Sequence, residues 1–123
     1  MESALNARCA LIIPARRAST RLADKMLLRE TGKTVLQHTW EVAQQAKRPD
    51  VVLIATDDAE IAREARRFGA EVVMTSASCA SGTDRVAEAA RQLPRAEILV
   101  NLQGDEPDMD PAAIDRVIAK LER

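Results

Sequence analysis

Cys9-Ala10-Leu11-Ile12-Ile13-Pro14 is the stretch whose reading decides the fold. An unbroken apolar run of strand length, ended by a proline, is the pattern of a strand buried on both faces of a parallel sheet. A half-exposed antiparallel strand would instead alternate. The same signal returns at Val51-Val52-Leu53-Ile54-Ala55, at Glu71-Val72-Val73-Met74 and at Ile98-Leu99-Val100-Asn101-Leu102.

Helical spacing fills the intervals. Val35, Thr39, Val42 and Ala46 recur between Gly32 and Pro49, and Ile61, Ala65 and Phe68 run up to Gly69. A third helix is expected from about Thr83 to Leu93, and a fourth carries Ile114, Val117, Ile118 and Leu121. The boundaries have chemical markers. Asp57-Asp58-Ala59-Glu60 offers a carboxylate cap, with Asp57 read as the capping residue, and Ser81 with Asp84 reads as a capping box. Gly69 suits a helix-ending glycine, and Asp110-Pro111 an N-cap followed by proline at the first helical position.

Strand and helix alternating in this way predict a doubly wound α/β fold, a mostly parallel sheet with helices on both faces. Residues 1–123 are expected to form one domain, because this length leaves no room for two. Such sheets bind ligands outside the carboxyl ends of their strands. The loops that matter are therefore 14–25, 55–58, 75–84 and 102–110.

Composition removes several classes of function. Eighteen Lys plus Arg against 19 Asp plus Glu leave a net charge of −1, which offers no bulk attraction to nucleic acid. Trp40 and Phe68 are the only aromatics, too few for a base-stacking platform. No run approaches the roughly 18–20 apolar residues of a membrane span, and the first residues lack a basic segment leading into an apolar one. A cytoplasmic location without a membrane partner is expected. Cys9, Cys79 and His38 cannot build a conventional four-ligand zinc site, so any divalent ion would be a hard one held by carboxylates and ligand phosphates. His38 falls inside the first helix and reads as a packed or solvent-facing residue; Cys79 reads as an inert small residue.

Two familiar phosphate motifs are absent. Gly32-Lys33-Thr34 suggests a P-loop, but the glycine required five residues earlier is Leu27, and Gly32-Lys33 reads instead as a turn entering the first helix. No G-x-G-x-x-G stands after the first strand. The segment there is Pro14-Ala15-Arg16-Arg17-Ala18-Ser19-Thr20-Arg21-Leu22-Ala23-Asp24-Lys25, with four cations within residues 16–25. Cations at a strand's carboxyl end, with small residues between them, suit a triphosphate, although solvated loop charges look the same in sequence. After the fourth strand, Asn101-Leu102-Gln103-Gly104-Asp105-Glu106-Pro107-Asp108 places the Asp105 carboxylate at the same end of the sheet. A carboxylate beside a triphosphate is suited to Mg2+, which takes one or two carboxylates and phosphate oxygens. Glu106, Asp108 and Asp110 read as solvated or capping residues. In Cys79-Ala80-Ser81-Gly82-Thr83-Asp84-Arg85, Ser81 reads equally as a cap and as a contact for a bound base or phosphate.

Ile13-Pro14-Ala15-Arg16, Ser19-Thr20-Arg21-Leu22, Lys25, Ala55-Thr56-Asp57, Ser81-Gly82-Thr83-Asp84-Arg85 and Asn101-Leu102-Gln103-Gly104-Asp105-Glu106-Pro107 together resemble the 3-deoxy-manno-octulosonate cytidylyltransferases, or CMP-Kdo synthetases. The resemblance runs from about Ala10 to Arg123. It implies a nucleotidyltransferase of Rossmann-like fold that couples CTP to an acidic sugar, giving CMP-Kdo and pyrophosphate for lipopolysaccharide assembly. Carried over by position, Arg16, Lys25 and Asp105 are the catalytic residues and Asp105 the metal ligand for Mg2+. Ala15, Arg16, Arg21, Lys25, Ser81 and Gln103 are the CTP contacts.

Three departures accompany the resemblance. Ala23-Asp24 stands where the family has Pro-Gly, and Cys79 stands where it has a histidine. The family's chain also continues into a second half with most of the sugar pocket, a second metal-binding aspartate and the dimer contacts. Two other readings remain open, a truncated noncatalytic nucleotide-binding or assembly module and a related sugar nucleotidyltransferase. Surface left uncovered by the absent half leads to an expectation of homo-oligomers.

Overall fold

The computed structural model describes residues 5–16, 29–30, 32–79, 81–104 and 108–122. In chain order the elements are β1 (Cys9–Pro14), the short strands β2 (Arg29–Glu30) and β3 (Lys33–Thr34), α1 (Val35–Gln44), β4 (Val51–Thr56), α2 (Ala59–Arg67), β5 (Glu71–Met74), α3 (Gly82–Ala90), β6 (Ile98–Asn101) and α4 (Pro111–Leu121). Four of the strands make one sheet in the order β5-β4-β1-β6, with every pairing parallel. This is the doubly wound sheet expected from the alternation of strand and helix.

All six residues of β1 are buried, as a central parallel strand requires. Its side chains alternate between two cores. Cys9, Leu11 and Ile13 pack with Leu36 and Ala43 of α1, Ile61 and Ala65 of α2, and Ile114 and Ile118 of α4. Ala10 and Ile12 pack on the other face with Leu53, Ala55 and Val73 and with Val86 and Ala89 of α3. Each fully buried Leu or Ile contributes on the order of 1.5–3 kcal/mol, so the two-sided burial of β1 is a large favourable contribution.

The crossover rule explains which helix covers which face. From β1 to β4 to β5 the chain moves in one direction across the sheet, and right-handed connections put α1 and α2 on one side. From β5 the chain returns past β1 to β6. The same handedness then sends α3 to the opposite side.

Most boundaries match their sequence markers. Ser81 caps α3 by accepting from Asp84 N, and Asp110 caps α4, with Pro111 at its start. Gly69 has φ of +95° just past α2. One capping assignment is corrected: the N-cap of α2 is Asp58, which accepts from Glu60 N and Ile61 N, and Asp57 is engaged elsewhere. The β2–β3 hairpin is not legible in sequence, since strands of two residues carry no periodicity. Gly32, with φ of +84°, makes its turn. The stripe of α1 is centred on Leu36, Thr39 and Ala43 rather than on Val35 and Val42. In α4, Ile114 and Ile118 are buried while Val117 and Leu121 are exposed, so the helix carries more apolar surface than the sheet covers. No helix among the described residues is long and apolar enough to cross a membrane.

Polar contacts lock the helices to the loops. The Thr34 hydroxyl caps α1 by accepting from Gln37 N at 3.1 Å and donates to Glu64 Oε2 of α2 at 2.9 Å, while Arg67 grips the same carboxylate. Asp115 of α4 accepts from the backbone amides of Lys47 and Arg48, at 3.0 and 2.8 Å, in the loop before β4. Those amides, Lys47 first, hold the Asp115 carboxyl below its ordinary value.

A folded-state value below the unfolded one means that the carboxylate stabilises the fold above the unfolded pKa. That contribution drains as pH falls through the lower folded value. In urea titrations Asp115→Asn is therefore expected to be less stable than wild type at neutral pH by roughly 0.5–1 kcal/mol, modest because the site is partly solvated. The difference should narrow as pH is lowered through the acid limb. A gap of constant size down to about pH 2 would show that Asp115 acts through packing instead.

Candidate functional site

The order β5-β4-β1-β6 puts the reversal of chain direction between β1 and β6. At such a switch point the loops leaving neighbouring carboxyl ends part to opposite faces and open a crevice. The ladders run past the strands here. Ala15 N donates to Ala55 O at 2.9 Å, Leu102 N to Ile12 O at 3.1 Å and Thr75 N to Thr56 O at 2.9 Å. The first residue of each loop is thereby held in register with the adjacent strand.

Three separate segments meet at this end of the sheet. A Cβ placed on Gly82 would stand 3.1 Å from Gln103 Nε2, 3.2 Å from Gln103 Oε1 and 3.4 Å from Pro14 Cγ. The first turn of α3, the end of β1 and the loop after β6 are thus in contact. Gln103 Nε2 donates to Asn101 Oδ1 at 3.2 Å, which supports the amide from its own strand. Beside it, Ser81 Oγ accepts from Asp84 N at 3.1 Å. Capping uses a lone pair and not the hydroxyl hydrogen, so the same Ser81 can cap the helix and donate to a ligand.

Three side chains to which the sequence assigned no role at the site hold these loops. Thr39, fully buried in α1, donates to Gly104 O at 2.9 Å, and so fixes the loop between Gln103 and Asp105. Arg85 is buried at 3% exposure and reaches Asp57 Oδ1 at 3.2 Å and Thr75 Oγ1 at 2.5 Å. It ties α3 to the loops after β4 and β5, and accounts for Asp57, which was expected to cap α2. Glu88 accepts from Ser76 N at 2.6 Å and from Cys79 Sγ at 3.5 Å. Desolvation first, then the Glu88 carboxylate, raises the Cys79 thiol above its ordinary value, which suppresses the reactive thiolate.

The sequence had a signal for two of these. Thr39 is a hydroxyl at an otherwise apolar helical position, and Arg85 is a charge beside Val86 and Ala89 on the face of α3 that packs on the sheet. Buried polar groups of this kind require partners.

Of the residues marked in sequence, Ala15, Arg16, Ser81 and Gln103 are described, and all lie at the carboxyl ends of β1 and β6 or at the start of α3. Arg21, Lys25 and Asp105 lie outside the described residues. Ala15 is 1% exposed with its methyl in the core, so any ligand contact there runs through its backbone. Arg16 is exposed, and no carboxylate among the described residues pairs with it.

The opposite end of the sheet is built differently. A cavity of about 410 Å³ lies between Arg8, Cys9, Arg48, Asp50, Glu97, Ile98, Leu121 and Glu122. Its cations are engaged, Arg8 with Glu97 at 2.9 Å and Arg48 with Glu122 at 2.6 Å. Asp50 accepts from the amides of Arg8 and Cys9. With three carboxylates against two guanidinium groups, both of them already paired, this cavity lacks the cationic excess that an anionic ligand requires.

Known proteins share this fold. The cytidylyltransferase family model matches residues 10–123. The 3-deoxy-manno-octulosonate cytidylyltransferase of Rhodopirellula baltica is 49% identical over 114 residues, which are 93% of this chain and 45% of the relative. A CMP-2-keto-3-deoxy-manno-octonic acid synthetase solved in complex with CTP superposes with a TM-score of 0.88 at 37% identity, covering 93% of this chain and 47% of that one. A Mycobacterium tuberculosis protein solved with manganese superposes with a TM-score of 0.69 at 28% identity, covering 91% of this chain and 58% of its own. The chain thus spans about half the length of the curated relatives it matches, as was expected from the motifs.

Replacing Thr39 by Val keeps the shape of the side chain and removes the donor to the Gly104 carbonyl. Thr39→Val should destabilise the fold by on the order of 1–2 kcal/mol, seen as a lower urea midpoint at unchanged m. A variant as stable as wild type would mean that the carbonyl finds another donor and that Thr39 does not hold the loop.

Proposed function

We propose, from the premise that this chain belongs to the cytidylyltransferase family, that it forms the nucleotide-binding part of an enzyme coupling CTP to 3-deoxy-manno-octulosonate. The products are the CMP-sugar, used in lipopolysaccharide assembly, and pyrophosphate. The observation that most supports this reading is the meeting of Pro14, Gly82 and Gln103 at the switch point of the sheet. It brings the segment carrying Ala15 and Arg16, the capped start of α3 and the segment leading to Asp105 to one crevice.

In this reading Arg16, Arg21 and Lys25 hold the triphosphate, where fixed cations offset charge that grows on the phosphoryl oxygens. Ala15, Ser81 and Gln103 receive the rest of the nucleotide. The donor set suits a hard ion, since Asp105 directly follows the Gly104 carbonyl pinned by Thr39, and one carboxylate with phosphate oxygens is a common Mg2+ environment. Asp105 would hold Mg2+, which when bound would neutralise phosphate charge and orient the leaving group.

The sugar's anomeric hydroxyl oxygen forms a bond to the α-phosphorus, and the bond from that phosphorus to the β-bridging oxygen breaks. Pyrophosphate leaves with that electron pair, and the hydroxyl proton passes to solvent. Chemistry of this kind depends on positioning and charge stabilisation and needs no covalent work by the protein.

The 45% coverage of the relative supports a second reading, a nucleotide-binding module whose sugar pocket is not within these residues. Pyrophosphate release with CTP and a panel of acidic sugars separates the two: release supports the full reaction, and CTP binding without release supports the module.

Isothermal titration is expected to give heat with CTP in Mg2+. Asp105→Asn should weaken that binding about tenfold while leaving binding in chelator unchanged. Heat with ATP and none with CTP would overturn the reading.

Self-association belongs to the same proposal. Among the described residues β6 pairs only with β1, and Leu99 on β6 and Val117 and Leu121 on α4 are exposed. An open, apolar edge favours pairing with a second copy. Sedimentation velocity should show dimers at micromolar concentration, and a clean monomer would remove this part.

A further inference from the structure

Gly82 is not explained by backbone conformation. It begins helix α3, and its φ is not in the positive range occupied by Gly32 and Gly69. Any residue could adopt its conformation, and alanine would favour the helix more. Absence of a side chain here is therefore a matter of space.

The space is filled by one group. The two shortest approaches to a Cβ at this position, 3.1 and 3.2 Å, are both to the side-chain amide of Gln103, and Pro14 comes next at 3.4 Å, an ordinary van der Waals distance. The same amide donates to Asn101 Oδ1 at 3.2 Å. The exposed Gln103 amide thus touches both its own strand, through Asn101, and the bare first turn of α3. We infer that Gly82 is a positioning residue, whose missing Cβ fixes the rotamer of Gln103 and so presents its amide to the nucleotide in one orientation.

This role rests on the CTP reading given above, but the placement of the amide can be measured without nucleotide. An added methyl would meet the far end of a flexible side chain, which can swing aside, rather than backbone, which cannot. Gly82→Ala should therefore leave the fold intact, with Tm moved by no more than about 5 °C, while Gln103 is displaced.

The experiment has two readouts on the full chain. In NMR spectra of the nucleotide-free protein, wild type should show contacts between the Gln103 side-chain amide protons and Gly82 Hα, with dispersed amide shifts. Gly82→Ala should move those shifts and weaken the contacts. In titrations with CTP and Mg2+, Gly82→Ala and Gln103→Ala should each weaken binding about tenfold, the net contribution of one good hydrogen bond. The double variant should bind no more weakly than Gln103→Ala alone.

Losses that multiply in the double variant, or a Gly82→Ala protein with unchanged Gln103 shifts, would overturn the inference. Wild-type CTP binding that Gly82→Ala leaves intact would do the same while sparing the CTP reading. A wild-type chain that binds no CTP would instead sink that reading, and with it the role assigned to Gly82.

Discussion

The structure depends on the pairing of β1 with a parallel strand on each side. A strand buried on both faces and bonded along both edges can satisfy its backbone groups only through β4 and β6, which fixes both neighbours in register. Ala10 to Pro14 match Val51 to Ala55, and Cys9 to Ile12 match Ile98 to Asn101. Because the strands are parallel, their carboxyl ends fall at one level. Residues distant in sequence then emerge side by side, which is how Pro14 and Gln103 both come to lie against Gly82.

Register alone would leave the loops free beyond their first residue. They are restrained by a set of polar side chains reaching in from the helices. Thr39 grips the Gly104 carbonyl from one face, and Arg85 grips Asp57 and Thr75 from the other. A buried arginine is costly to desolvate, and Arg85 is tolerated because a carboxylate and a hydroxyl meet it in the low-dielectric interior. The same contacts fix two loops at once, and nucleotidyl transfer, the proposed chemistry, is governed by where groups are held.

Sequence reading succeeded where burial dictates composition and faltered where a single contact decides. The runs at Cys9–Ile13 and Val51–Ala55 announced strands because both faces are covered, and Ser81 and Asp110 announced helix starts because the orphan amides there need oxygen acceptors. Asp57 and Asp58 are chemically identical neighbours, and only the Arg85 partner in space decides which one caps α2. Thr39 passed as part of an apolar stripe because its hydroxyl partner lies 65 positions away. For the basic stretch, composition and spacing name Arg21 and Lys25 as candidates for the triphosphate, and both lie outside the described residues.

The two ends of the sheet also differ in how charge is disposed, and the difference bears on where an anion could sit. At the amino end each guanidinium of the cavity meets a carboxylate, so a phosphate arriving there would have to displace an ion pair and gain little net attraction. At the carboxyl end the buried guanidinium of Arg85 is engaged with Asp57, while Arg16 is exposed and meets no carboxylate among the described residues. The capped start of α3 lies at that same end, where the helix dipole favours negative charge. Among the described residues the carboxyl ends thus combine an exposed guanidinium with a helix start whose dipole favours negative charge, whereas the cavity at the other end sets three carboxylates against two guanidinium groups.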